Sequence, residues 1–195
     1  MGDERPRMGI CLTIVRLSDA AIDELRATPK KALHFWMQDE VPATEPAGWL
    51  GRLLRRKDSG WPKCSFNREA GDETDLDKAW EAMDYLLSEG RRSSGEGRFL
   101  TEGGVEVAQE IGYGSPRVIR SADVKKIDAF LRGLTAESLR EQYDPLAMDR
   151  EKIYPQIWER DGDEGFDYIV SFFEPLRRFI SDAAHRSVGI MIVYT

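Results

Sequence analysis

The sequence has few of the residues that build metal centres and nucleophilic active sites. Its 195 residues include two cysteines, Cys11 and Cys64, and two histidines, His34 and His185. So few thiol and imidazole groups exclude a zinc-binding motif and a framework of disulfides. The short patterns typical of serine hydrolases, zinc proteases and phosphate-binding loops are also missing. We therefore expect no cofactor and no resident metal ion, and a covalent hydrolase is disfavoured.

Long apolar runs and an excess of positive charge are missing as well. The longest strongly apolar run spans residues 188–194, whereas a membrane-spanning helix needs about 20 apolar residues. The 28 basic and 35 acidic residues give a net charge of −7, which makes nucleic acid and anionic membranes poor candidates as partners. The charged residues 1–7 lack the apolar segment of a signal peptide. These absences predict a cytoplasmic protein that does not contact a membrane.

The sequence does contain enough apolar residues for one folded domain. Hydrophobic residues make up 41% of the chain, and a chain of this length buries a sizeable core. We expect residues 1–7 to form a flexible extension and residues 8–195 to form a single domain. Two apolar, β-branched runs, residues 9–16 and 188–194, predict strands lying side by side in a small sheet, the second buried on both faces. Helical spacing dominates between them, which predicts a helix-rich α+β fold.

The spacing of apolar residues marks two helices most clearly. Residues 76–88 are predicted to form the first, with an apolar stripe that consists of Leu76, Trp80, Met83 and Leu87. Its Asp77, Glu81 and Asp84 share another face, which favours a solvated acidic surface, with acid–base chemistry or metal binding as the alternative. The second helix is predicted from about residue 166 to residue 186. Pro175 lies within its pattern, so we expect a kink or a break near residues 171–174.

Three short motifs follow one another along the chain. They are Leu76-Asp77-Lys78-Ala79-Trp80, then Gly112-Tyr113-Gly114 with Arg117, then Ile153-Tyr154-Pro155-Gln156-Ile157-Trp158. In this order and spacing they resemble the YfbM-like family, a bacterial family of unknown function. The resemblance extends over nearly all of the chain from Met8, and it implies a compact α+β domain without supplying a reaction. Asp84 stands where family members usually carry histidine, and residues 49–71 match nothing in the family.

The candidate binding residues come from these motifs and from the helix that carries the first of them. They are Asp77, Lys78, Trp80, Asp84, Tyr113, Arg117, Tyr154 and Trp158. Tryptophan, tyrosine and arginine are over-represented at binding surfaces, because they combine a large contact area with a polar group. The alternative is structural: the tryptophans lie in the core, with Asp77, Lys78 and Arg117 pairing around them.

The charge is distributed unevenly, and this guides the functional hypotheses. Residues 1–70 carry a net charge of +2 and residues 71–195 a net charge of −9. An acidic surface speeds association with a basic partner, so the leading hypothesis is a non-enzymatic binding protein, for example an immunity-type protein that masks a basic toxin. The alternative is a small hydrolase or ligand-binding enzyme with Asp77, Asp84 and Arg117 around a polar pocket. A third hypothesis, nucleic-acid binding through the basic residues 52–57, has weaker support.

Overall fold

The computed structural model describes residues 9–37, 62–108 and 111–195, and these residues form a five-stranded antiparallel sheet covered by helices. The strands are β1 (Leu12–Leu17), β2 (Glu73–Asp75), β3 (Val105–Glu106), β4 (Arg117–Ile119) and β5 (Gly189–Tyr194). Their order across the sheet is β2-β1-β5-β4-β3. The predicted extension at residues 1–7, the basic run at residues 52–57 and most of residues 49–71 lie outside the described residues.

The two predicted strands form the centre of the sheet. β1 and β5 pair antiparallel over their full lengths, from Leu12 opposite Tyr194 to Leu17 opposite Gly189. Alternate residues of β5 enter two different cores: Ile190 and Ile192 pack on one face of the sheet, and Met191 and Val193 on the other. A strand buried on both faces needs apolar residues at successive positions, and this explains the uninterrupted run at the end of the sequence.

Helices cover both faces of this sheet. They are α1 (Asp19–Ala27), α2 (Lys30–Trp36), α3 (Trp80–Leu87), α4 (Ser121–Arg132), α5 (Ala136–Arg140), α6 (Pro145–Arg150) and α7 (Trp158–His185). α1 and α2 bury Ile22, Leu25 and Phe35 in the smaller core, together with Met191 and Val193. The larger core, on the opposite face, is built from α3 to α7. The α+β class predicted from the sequence is confirmed.

The boundaries of both clearly marked helices differ from the prediction. α3 begins at Trp80, because Glu73–Asp75 pairs with β1 as strand β2 and Asp77–Ala79 forms a 3₁₀ turn. α7 begins at Trp158, with one non-helical residue, Gly162, at φ 51° and ψ −122°. The helix continues through Pro175, where a kink was predicted. Pro175 lies on the exposed face, while Phe173, Leu176 and Phe179 on the opposite face anchor the helix in the core, and such packing supplies most helical stability.

Candidate functional site

The candidate residues of the first and third motifs meet where β1 begins. The indole Nε1 of Trp80 donates a hydrogen bond to the carbonyl oxygen of Ile10 at 2.9 Å. The backbone N–H of Ile10 donates to the hydroxyl oxygen of Tyr154 at 2.8 Å. Two residues that lie 74 positions apart in the chain therefore bind both backbone groups of the same residue, two positions before β1.

The side chains around this point form a group that we call the strand-end cluster. Its members are Asp77, Lys78, Trp80, Arg117, Tyr154, Tyr168 and Tyr194. The Trp80 ring stacks on Tyr154, with 5.9 Å between centroids, and meets the edge of Tyr194 at 4.9 Å. Such ring pairs add stability beyond the area that they bury. The contacts join the first residues of β1 to the last residues of β5 through side chains from three further parts of the chain.

Asp77 occupies a strained backbone position within the cluster. Its φ angle is 44°, a left-handed value that is uncommon for residues other than glycine. The hydroxyl group of Tyr168 donates to Asp77 Oδ2 at 2.9 Å, and the thiol of Cys11 donates to Oδ1 at 3.3 Å. Burial, together with the neighbouring Asp77 carboxylate, raises the pKa of both the Cys11 thiol and the Tyr168 phenol. Asp77 thus accepts from protonated donors, and these donors hold its carboxylate in place.

Lys78 contributes its aliphatic chain to the same cluster. Its Cδ and Cε atoms pass directly over Gly9, beside the hydroxyl group of Tyr154. A β-carbon at position 9 would overlap these atoms, so only glycine leaves the lysine stem this path. The backbone N–H of Lys78 donates to the hydroxyl oxygen of Tyr168 at 3.2 Å.

Arg117 is the most buried member of the cluster, with 8% of its surface exposed. Its guanidinium group donates to the carbonyl oxygens of Leu100 and Gly103, the latter at 2.7 Å, and to the hydroxyl oxygen of Tyr194 at 3.0 Å. The structural alternative for Arg117 was an ion pair. Within the described residues the side chain instead binds backbone carbonyl groups, so it fixes the segment of residues 98–104, which we call the strap.

Asp84 holds the other side of the strap. The N–H and hydroxyl groups of Thr101 donate to its two carboxylate oxygens at 3.1 and 2.8 Å, and Arg98 Nε lies 2.9 Å from Oδ2. Burial raises the pKa of Asp84 to about 6, although Thr101 and Arg98 oppose the shift. Only 1% of the residue is exposed. The prediction of a solvated acidic face was therefore wrong for Asp84, because the strap, distant in sequence from α3, covers it.

Besides Asp84, two of the predicted residues lie outside the cluster. Trp158 is fully buried in the larger core, and its Nε1 donates to the carbonyl oxygen of Ile153 at 2.8 Å. Tyr113 is the most exposed of the eight predicted residues, at 52%, and its N–H donates to the carbonyl oxygen of Tyr194 at 3.0 Å. The structure thus brings five of the eight residues into one cluster: Asp77, Lys78, Trp80, Arg117 and Tyr154.

The hydrolase hypothesis requires Asp77, Asp84 and Arg117 to face one cavity. Two cavities, of about 180 and 340 Å³, have linings that include none of the eight predicted residues. The polar atoms of Asp77, Asp84 and Arg117 bind Tyr168, Thr101 and Leu100, respectively. In the part of the chain that the structure describes, no group of three or more metal-binding side chains could hold a metal ion. Likewise, no helix among the described residues is both long and apolar enough to cross a membrane.

Tyr168 and Tyr194 belong to the cluster, yet sequence reasoning did not select them as site residues. Both lie in strongly amphipathic or apolar elements, α7 and β5, where an aromatic residue is typical of a core position. Each hydroxyl group donates a hydrogen bond: that of Tyr168 to Asp77, and that of Tyr194 to the carbonyl oxygen of Leu100. The sequence did offer one signal for these two residues. A tyrosine where phenylalanine would fill the core equally well indicates that the hydroxyl group has a polar partner, because a buried hydroxyl group requires one.

Sequence reasoning also did not identify the segment in which most of the net negative charge is concentrated. Residues 135–167, which we call the acidic unit, contain ten acidic and four basic residues, a net charge of −6. The unit is joined by an ion pair between Arg140 and Asp163 and by a hydrogen bond from the Tyr143 hydroxyl to the Gly162 carbonyl at 2.7 Å. Five of its exposed carboxylates make neither an ion pair nor a side-chain hydrogen bond with a described residue: Glu141, Glu151, Glu159, Glu164 and Asp167.

Two comparisons with known proteins agree with this fold. A family model described as "Domain of unknown function (DUF1877)" matches residues 8–193. The crystal structure of YfbM from Escherichia coli, a protein of unknown function, is similar with a TM-score of 0.63. That match covers 95% of this chain and 99% of YfbM at 13% sequence identity, so it shows a shared fold alone. No curated protein matches the sequence. Because the family model covers almost the whole chain, this protein belongs to the DUF1877 family.

Proposed function

We propose that this protein is a non-enzymatic binding protein that docks a basic protein partner on the acidic unit. The observation that carries the proposal is the set of five exposed carboxylates that make neither an ion pair nor a side-chain hydrogen bond with a described residue. Carboxylates that are not neutralised within the fold keep their field available for a cationic partner, which they steer and orient.

The exposed residue Leu146 also supports the acidic unit as the docking surface. It lies in α6, within the acidic unit, and 60% of it is exposed, the largest value among the exposed large hydrophobic residues of the described chain. Interfaces typically combine an apolar contact at the centre with a charged rim. Leu146 supplies an apolar contact within a surface whose charged groups are mostly negative.

The strand-end cluster has a supporting role in this proposal. Most of its polar side-chain atoms bind backbone groups or one another, and of the eight predicted binding residues Tyr113 alone is exposed. We propose that Trp80, Tyr154 and Arg117 stabilise the junction of β1, β5 and the strap, and that the partner binds elsewhere. Groups already engaged in buried hydrogen bonds gain little from a new partner.

The test compares two variants with equal changes in net charge. The first neutralises the acidic unit with Glu141→Gln, Glu159→Gln and Glu164→Gln. The control neutralises three exposed residues outside it, with Glu69→Gln, Glu89→Gln and Glu106→Gln. Partners captured from a native lysate are identified by mass spectrometry, and their association rates are measured with the purified proteins at low salt and at about 0.15 M salt.

We expect a reproducible basic partner whose association rate falls about tenfold or more in the first variant and far less in the control. The rate should also fall as salt rises, because exposed charges are screened. The proposal is rejected if no partner is recovered reproducibly, or if both variants lose the same fraction of the association rate.

A further inference from the structure

A second candidate site lies at the β2 edge of the sheet. The cavity of about 340 Å³ there is lined by Thr13, Trp36, Arg68, Glu73, Thr74 and Asp75. Its volume is within the usual range of small-molecule sites, about 300–1,000 Å³. It shares no residue with the strand-end cluster or with the acidic unit, so it is independent of the proposed docking surface.

Two carboxylates point to the same side of the cavity. Glu73 and Asp75 alternate along β2, and residues at i and i+2 of a strand face the same way, about 6.6 Å apart. Thr13 lies opposite Asp75 in the sheet register, and its hydroxyl group donates to Asp75 Oδ2 at 3.1 Å. Among the described residues of the lining Arg68 is the one basic residue, so these residues carry one more negative than positive charge.

The lining already holds one cationic group against an aromatic ring. The Arg68 guanidinium carbon lies 4.7 Å from the centroid of Trp36, and Arg68 Nη2 lies 2.7 Å from Glu73 Oε2. An aromatic face next to a carboxylate is the combination that binds organic cations in proteins. The contact shows that Trp36 and Glu73 are placed to share a cation.

We propose that this cavity binds an alkylammonium group, such as a lysine side chain or a small primary amine. An ammonium group has three hydrogen-bond donors, which suits the carboxylates of Glu73 and Asp75 and a threonine hydroxyl oxygen. The alkyl stem would pack on the exposed part of the Trp36 ring, as lysine stems do on apolar surfaces. The excess negative charge of the lining favours this cation over a neutral ligand of the same size.

The test uses n-butylamine and its neutral analogue n-butanol with the intact chain. Binding is followed through the indole N–H signal of Trp36 by NMR, assigned with a Trp36→Phe variant. We expect saturable binding of butylamine and no saturation with butanol at equal concentrations. Glu73→Gln should weaken amine binding about tenfold, the usual size of one charge-assisted hydrogen bond. Arg68→Gln should maintain or strengthen it, because a competing cation is removed.

Glu106→Gln provides the matched control, since Glu106 is an exposed residue of the strand at the opposite edge of the sheet. Thermal unfolding without ligand verifies that each variant is folded. The proposal is overturned if the wild-type chain shows no saturable amine binding, if butanol binds equally well, or if Glu106→Gln weakens binding as much as Glu73→Gln. It is also overturned if Arg68→Gln weakens binding as Glu73→Gln does, because the two residues would then serve only to support the cavity wall.

Discussion

For Asp84, burial changes the pKa more than the hydrogen bonds to the carboxylate do. Thr101 and Arg98 favour the ionised form, but the nearly complete loss of solvent raises the pKa to about 6. In the unfolded chain an aspartate titrates near pH 3.9. The folded protein therefore binds this proton more tightly than the unfolded chain does. Its contribution to stability is complete below about pH 4 and is lost as the pH rises through about 6.

Asp84→Asn should make stability less dependent on pH in this window. The free energy of unfolding of the wild type, relative to the variant, should fall by about 2–3 kcal/mol between pH 4 and pH 7. Urea unfolding at a series of pH values measures this difference. Asp167→Asn, at an exposed position without an ion pair to a described residue, is the control and should show a flat difference. A flat difference for Asp84→Asn as well would contradict the assignment.

Single residues also show what the motifs were able to predict. Trp80, Tyr154 and Arg117 were selected from short sequence patterns, and the structure joins them through Ile10 and Tyr194. The patterns contain no information about which groups those side chains bind. A tryptophan that caps a strand through its indole N–H and a tryptophan that contacts a ligand have the same sequence signal, so their binding role stays a prediction.

Among the larger elements, the strap is held by two buried charges of opposite sign. Asp84 accepts hydrogen bonds from Thr101, and Arg117 donates to the carbonyl oxygens of Leu100 and Gly103. The carboxylate thus binds hydrogen-bond donors of the strap, and the guanidinium group binds its acceptors. Both matter because a buried backbone group without a hydrogen-bond partner destabilises the fold. The strap also supplies Phe99, Gly103 and Gly104 to the cavity of about 180 Å³.

Arg117→Met should loosen the strap, because methionine keeps much of the apolar volume but leaves the Gly103 carbonyl without a donor and the Leu100 carbonyl with the Tyr194 hydroxyl group alone. We expect a loss of about 2–4 kcal/mol in the free energy of unfolding. Amide exchange should become faster in residues 98–104 before it does in β1 and β5. Arg178→Met is the matched control, because Arg178 is exposed and makes no ion pair with a described residue. Equal losses in both variants would refute this role of Arg117.

The helices and strands also show the limit of local patterns. The apolar stripe of residues 76–88 predicted a helix, yet β2 ends directly before it, at Asp75. A three-residue strand of Glu, Thr and Asp carries no local signal of its own. It forms because β1 presents an unpaired edge to it. α7 likewise stays helical at Pro175, because Phe173 and Leu176 on the opposite face anchor it in the core.

In the whole molecule, most of the net negative charge is concentrated in the acidic unit. The acidic unit alone has a net charge of −6, against −7 for the full chain. Like charges at close range destabilise a compact state, and salt screens this repulsion. Five exposed carboxylates that make neither an ion pair nor a side-chain hydrogen bond with a described residue therefore lower stability, and we attribute their presence to partner binding.

The variant with Glu141→Gln, Glu159→Gln and Glu164→Gln should therefore be at least as stable as the wild type in low salt. The expected gain is about 1 kcal/mol or less, and it should shrink as salt rises to about 0.15 M. Urea unfolding at both salt concentrations measures it, with the Glu69, Glu89 and Glu106 variant as the comparison. A clear loss of stability in low salt would mean that these carboxylates support the fold, and it would remove the reason to assign them to a partner.

The sequence by itself determined the α+β class, the pairing of its first and last strong strands, and the family. Apolar runs and helical periodicity are local, and an element must bury its apolar face whatever the remaining chain does. Only the tertiary structure decided that Asp84 is buried, that Arg117 binds the strap, and that Tyr168 and Tyr194 complete the strand-end cluster. These properties depend on contacts between residues far apart in the chain. The electrostatic environment of a side chain is set by such contacts and leaves no pattern in its own neighbourhood.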